Sequence, residues 1–174
     1  MTPAIATSGT VIRMVGDYRR VARKSAGLLL FRRTPAGIEV LLVHPGGPLW
    51  AKKDEGAWSI PKGEIDADEA PLAAARREFE EELGSPVSGE FIALAPIRQA
   101  SGKVVHAWAV EADFDPATFT SGMFSMEWPP RSGQQQEFPE VDRAEWFSID
   151  NARRKINKAQ IELLDQLVHT ARRA

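Results

Sequence analysis

Cysteine is absent from the 174-residue chain, which excludes disulfides, thiolate metal sites and cysteine nucleophiles together. Any metal must therefore use oxygen or histidine ligands. Histidine occurs three times, without the spacing of a zinc motif, so a zinc site is disfavoured as well. No apolar run approaches the roughly 18 to 20 residues that span a bilayer. The longest, Ala26 to Phe31 and Val40 to Val43, are strand-sized. Nor does charge of one sign accumulate: 22 Lys and Arg stand against 24 Asp and Glu, for a formal net charge of -2. That balance argues against a protein whose business is coating nucleic acid or an anionic membrane.

What is present suits one ordinary domain, since 43% of the residues are hydrophobic and a chain of this length buries a sizeable core. Residues 1–24 stand apart. They carry Arg13, Arg19, Arg20, Arg23 and Lys24 but only one acid, Asp17, and lack the compact apolar segment of a secretory signal. We read them as a disordered or loosely docked extension, residues 25–174 as one domain, and the cytoplasm as the default compartment.

Ser25 to Phe31 and Ile38 to His44 read as strands joined by a Pro/Gly turn. His44 to Pro48 cannot continue a strand, and the Lys-, Gly- and Trp-rich stretch Trp50 to Gly63 is a long irregular connection, a kind that is commonly functional. Asp68 to Leu83 predicts a helix: Asp68 is placed to cap, Pro71 is tolerated in the first turn, Ala73, Ala74 and Ala75 favour helix, and Gly84 with Pro86 ends it. Glu90 to Arg98, Lys103 to Ala112 and Ala144 to Ile149 read as further strands. Phe114 to Glu140 reads as a long loop with a short strand around Phe124 to Trp128. A terminal helix spans Asn157 to Arg173, with Ile161, Leu164, Leu167, Val168 and Ala171 on one face. Strands around a central helix, followed by a terminal helix, imply an α/β fold in which a mixed sheet is sandwiched between helices.

The chemistry concentrates in Gly63-Glu64-Ile65-Asp66-Ala67-Asp68-Glu69 and, seven residues on, Arg77-Glu78-Phe79-Glu80-Glu81-Glu82-Leu83-Gly84. At about 3.6 residues per turn, Glu78, Glu81 and Glu82 project from one side of a helix, while Phe79 and Leu83 point elsewhere. Three like charges so close repel unless something compensates, and a hard divalent cation with oxygen ligands is the usual compensation. The competing reading is a solvated acidic face with salt-bridge partners, and spacing alone does not displace it.

The whole pattern resembles the signature of the Nudix hydrolases, in which a loop, a helix and a second loop form a metal and diphosphate site. Gly63, Glu69, Arg77, Glu78, Phe79, Glu81, Glu82 and Gly84 all match the family's box, which covers the 23 residues Gly63 to Ser85. Trp58-Ser59-Ile60-Pro61-Lys62 before it and Glu145-Trp146-Phe147 near the end are also similar, so the resemblance extends over most of residues 25–172. One departure stands out: Ser85 and Pro86 intervene before Val87, where the family has an aliphatic residue directly after the last glycine.

The resemblance implies the Nudix-type α/β/α sandwich and hydrolysis of the diphosphate linkage of a nucleoside polyphosphate, such as a dinucleoside polyphosphate or a nucleoside triphosphate. It implies magnesium as the cofactor, with manganese as a substitute. Glu78, Glu81 and Glu82 become the metal ligands and catalytic residues, with the backbone carbonyl at Lys62 or Gly63 completing the first site. Glu78 stays open between ligand and base. Glu69 and Arg77 become a structural pair, and Gly63 and Gly84 structural glycines. The expected partner is a small nucleotide rather than nucleic acid or membrane, and a homodimer is compatible with the sequence. The other class of reading is an inactive nucleotide-binding or regulatory module, which the full set of box acids argues against.

The remaining candidates are weaker. Glu127, Glu137 and Glu140 could add a ligand or base, each weighed against a plain surface acid. Lys52, Lys53 and Lys62 could bind phosphate oxygens. Trp50 and Trp58 could stack on a base, weighed against packing in the core, and Trp58 is the one carried forward for substrate, with Lys53 and Lys62. His44 and His106 fall in predicted strands, where packing or a local hydrogen bond is expected.

Overall fold

The computed structural model describes residues 22–173; apart from its last residues, the expected extension 1–24 lies outside them. Two long apolar strands, β1 (Lys24–Thr34) and β2 (Gly37–Pro45), form an antiparallel hairpin across the predicted turn. Their central runs, Ala26 to Phe31 and Val40 to Val43, are apolar without interruption because helices cover both faces of the sheet. Leu28, Leu30, Leu41 and Val43 face one core, and Leu29, Phe31, Val40 and Leu42 face the other.

β3 (Lys62–Glu64) pairs with the start of β1, with Gly63 opposite Ala26. α1 (Pro71–Leu83) then packs Ala74, Ala75, Phe79 and Leu83 into the first core. β4 (Ile92–Ala93) and β5 (Ile97–Arg98) are antiparallel to β6 (Val104–Glu111), which runs parallel to β1. β7 (Met123–Glu127) and β8 (Gln135–Pro139) form a separate hairpin, and β9 (Val141–Ser148) closes the edge beside β2. α2 (Ile149–Lys155) and α3 (Ile161–Ala171) cover the second core through Ala152, Leu163, Leu164 and Leu167. The seven-stranded sheet, of which β4-β6-β1-β2-β9 is the main path, is mixed and sandwiched between α1 and α2–α3, the α/β/α architecture expected.

Several elements differ from the sequence reading. α1 begins at Pro71, not Asp68. Pro71 drives the preceding residue out of the helical region, so Ala70 is extended, and Asp68 sits at φ 63° instead of capping. The single strand expected over Glu90 to Arg98 is split in two, because Pro96 cannot donate to a ladder. The long loop Phe114 to Glu140 contains a complete hairpin; the polar run Gln134-Gln135-Gln136 hid its second strand. α2 is short and has no apolar period, yet the Ser148 side chain caps it by accepting from the Asn151 N–H at 3.3 Å. The terminal helix is preceded by a short 3-10 turn, Lys158–Gln160, and Leu163 belongs to its buried face. Among the described residues, no helix is long and apolar enough to cross a membrane.

Candidate functional site

The burial of Ala74, Ala75, Phe79 and Leu83 fixes the rotation of α1 against β1, and that rotation sets the glutamates. Glu78 turns toward β3. A Cβ built on Gly63 would stand 1.9 Å from the Glu78 carboxyl carbon, so the carboxylate rests on bare backbone. Gly63 is required here for space and not for an unusual backbone angle, since its φ lies outside the left-handed region. Burial raises the Glu78 carboxyl above its ordinary range, against the opposing hydrogen bond from Arg77.

One turn on, Glu82 is more deeply placed, and burial together with the Glu78 charge pushes its carboxyl up to about 8. Its Oε2 is buried and has no hydrogen-bond partner. The backbone N–H of Lys62 and the Lys62 charge offset only part of that cost. An unpartnered buried carboxylate oxygen beside a second carboxylate is an expensive arrangement in protein alone, and it is what an oxygen-ligated cation requires.

Glu81 behaves differently. Its side chain is 55% exposed and accepts from Arg77 Nη1 at 3.2 Å. Among the described residues, no three acidic or histidine side chains form a ready group for a metal ion. The structure thus sets Glu78 against Gly63 and Glu82 within the influence of the Glu78 charge, with Glu81 held at the rim.

Arg77 organises the loop before the helix. Its Nε and Nη2 donate to the two oxygens of Glu69 at 2.8 and 3.0 Å, its Nη1 donates to Glu78 at 2.8 Å, and Nη2 also reaches the Glu64 carbonyl at 3.0 Å. The forked bond from Arg77 and the Asp66 backbone N–H hold the Glu69 carboxyl down at about 2. These carboxylates in turn raise the Arg77 guanidinium, Glu69 foremost. Gly84 ends α1 at φ 80°, donating its N–H to the Glu80 carbonyl at 2.7 Å. Beyond it Val87 is buried in the α1 core, so the Ser85-Pro86 insertion still delivers an apolar anchor.

Of the three later acids, Glu140 joins the cluster. It sits between the β7–β8 hairpin and β9, donates its N–H to Gly122 at 2.9 Å and accepts from Gly46 at 3.0 Å. Gly122 donates to the Glu81 carbonyl at 3.1 Å, which ties this junction to the end of α1, and the Glu140 charge helps raise both Glu78 and Glu82. Glu127 instead accepts from the Arg131 N–H at the hairpin tip, and Glu137 is exposed opposite Ser125.

The cations divide as well. Lys62 is driven below its ordinary range first by burial and then by Lys103, while Glu82 and Glu78 act the other way. Lys103 also pairs with Glu64 at 3.6 Å. No local signal marks it: only the long-range parallel pairing of β6 with β1 brings residue 103 beside the box. Lys52 and Lys53 are exposed, and the Lys53 ammonium lies 4.7 Å from the Trp50 ring centre.

Trp58 requires a correction as a substrate-binding residue. It is fully buried in the second core, edge-on to Phe147 at 4.9 Å, and its Nε1 donates to Asp54 at 2.8 Å, so no ring face is free for a base. His44 is likewise buried, bonded to Asp142 through Nδ1 and to the Lys53 carbonyl through Nε2, each at 2.7 Å.

Comparison with known proteins shows the family and the fold. A family model described as the NUDIX domain matches residues 21–167. An RNA pyrophosphohydrolase of Gluconacetobacter diazotrophicus is 41% identical over 66 residues, 36% of this chain and 37% of that protein. An 8-oxo-(d)GTP phosphatase of Mycolicibacterium smegmatis is 30% identical over 141 residues, 74% of this chain and 36% of that protein. The chain therefore spans little more than a third of the length of these curated relatives. Among solved structures, a C. elegans Ap4A hydrolase binary complex superposes with a TM-score of 0.62 at 22% identity, covering 88% of this chain and 100% of that one. The NUDIX domain of Shewanella oneidensis NrtR complexed with ADP ribose gives 0.60 at 18% identity, covering 87% and 90%. At those identities the likeness is one of fold.

Proposed function

The chain belongs to the NUDIX family, and from that premise we propose that it is a magnesium-dependent hydrolase of the phosphoanhydride linkage in a nucleoside polyphosphate, either a dinucleoside polyphosphate or a nucleoside triphosphate. One observation carries the reading: the Glu82 oxygen buried without a partner, within the influence of the charge on Glu78, whose own carboxylate rests against Gly63. The relatives named for RNA, 8-oxo-(d)GTP and Ap4A support a nucleotide substrate. The full set of box acids, Glu78, Glu81 and Glu82, favours an enzyme over a binding module.

Glu78 and Glu82, joined by Glu81 from the rim, would hold the divalent cation. When bound, such an ion neutralises phosphate charge and lowers the pKa of a coordinated water. Lys62 and Lys103 flank the acids and meet the non-bridging phosphate oxygens with positive charge. Gly63 keeps the floor of the site clear for the Glu78 carboxylate. In the reaction, the water oxygen bonds to one phosphorus and the bridging P–O bond breaks with its electron pair on the departing phosphate. The water proton passes to a carboxylate, for which Glu78 and Glu140 are the acceptors within the cluster. No covalent enzyme intermediate is needed.

The test is product release from a panel of dinucleoside polyphosphates, nucleoside triphosphates and ADP-ribose with Mg2+. Turnover of at least one member, abolished in Glu82→Gln, is expected. Tight binding with no turnover of any member would replace the enzyme by a binding module.

A further inference from the structure

Among the described residues, the large hydrophobic side chains left exposed are Leu49 at 59%, Trp50 at 38% and Met123 at 54%. They are not scattered. Leu49 and Trp50 belong to the turn that follows Gly47, and Met123 opens the β7–β8 hairpin. The two segments meet where Gly47 packs so closely on Phe124 that a Cβ there would stand 2.8 Å from the ring. The same two segments border the acidic cluster, because Gly46 donates to the Glu140 carbonyl and Gly122, next to Met123, donates to the Glu81 carbonyl. The exposed apolar side chains therefore stand on two segments that are each hydrogen-bonded to residues of the site described above.

The turn is also held in place. Trp50 donates to the Gly47 carbonyl at 3.3 Å, Lys53 donates to the Trp50 carbonyl at 2.9 Å, and the buried His44 bonds to the Lys53 carbonyl at 2.7 Å. An indole on an anchored turn loses little freedom when it is covered. The Lys53 ammonium lies over the ring, 4.7 Å from its centre, and adds a positive charge on that face, so a base would take the other. An aromatic surface with a cation, beside a site for phosphates, fits a ligand that has a flat base at one end and negative charge at the other.

We infer that Trp50, supported by Leu49 and Met123, is the platform on which the nucleobase of the substrate stacks, on the ring face opposite Lys53. This rests on the nucleotide reading for the identity of the ligand, and it moves base recognition from the buried Trp58 to the exposed Trp50.

The test measures the binding of ADP and of inorganic pyrophosphate, each with Mg2+, to the wild-type chain and to Trp50→Ala and Trp50→Phe. Loss of a stacked base is expected to weaken ADP by about 5- to 100-fold, to leave pyrophosphate unchanged, and to be largely restored by phenylalanine. Equal weakening of both ligands, no change in either, or no binding of ADP to the wild-type chain would overturn the inference. So would concentration-dependent self-association of the wild-type chain that Trp50→Ala removes while ADP affinity stays the same, because the patch would then be an interface between copies. The hydrolase reading fails separately, when no nucleotide is turned over even though ADP binding depends on Trp50.

Discussion

Replacing Glu82 by glutamine removes a buried charge while keeping the side chain's shape, and it separates the cost of the site from its use. The Glu82 carboxyl is pushed from an ordinary 4.5 to about 8, chiefly by burial and then by Glu78. At roughly 1.4 kcal/mol per pH unit, ionised Glu82 costs the folded protein at most about 5 kcal/mol, and water reaching the carboxylate reduces this to about 1–3 kcal/mol. The sign follows from proton linkage: a carboxyl whose folded pKa is raised favours the fold at low pH and loses that advantage as pH rises from about 4.5 to about 8. In a chelator, Glu82→Gln should match the wild-type chain in denaturant unfolding below about pH 4. It should then become more stable by about 1–3 kcal/mol at pH 9, while its turnover with Mg2+ falls at least about 100-fold. A stability difference that is flat with pH, or a variant less stable than wild type at pH 9, would refute the account of Glu82 as a charge held at a cost.

Gly63→Ala should displace the Glu78 carboxylate, whose carbon lies 1.9 Å from the added Cβ; because that group is the end of a flexible chain, melting temperature should change little while kcat falls about 100-fold. Arg77→Ala should lose about 1.5–3 kcal/mol of stability together with activity, since it strips bonds from Glu69, Glu78 and Glu81 at once; a kinetic defect with unchanged unfolding would contradict its structural role. Trp58→Ala should cost about 3–5 kcal/mol in denaturant unfolding, and an unchanged midpoint would contradict its place in the core.

Local signals made α1 legible: Pro71 at its start, the alanines within it and Gly84 at its end are all properties of adjacent residues. The two-faced apolar run of β1 and β2 likewise announced a covered sheet. Glu69, Arg77 and Glu78 could be singled out because the box is contiguous in sequence. Lys103 and the location of Glu140 could not, since each depends on a pairing between distant segments: β6 against β1, and the β8–β9 junction against Gly46 and Gly122. Trp50 and Trp58 show the same limit at closer range. They lie in one polar loop, yet α2 and β9 bury one while the other faces out, and nothing beside either residue marks which is which.

The central claim is that Glu82 and Glu78 hold a divalent cation. A titration of the chain with Mn2+, followed by the electron paramagnetic resonance signal of the free ion, tests it most directly. The account predicts that the wild-type chain removes Mn2+ from solution and that Glu82→Gln leaves it free at the same concentrations. Equal uptake by both proteins, or no uptake by the wild-type chain in the presence of nucleotide, would contradict it.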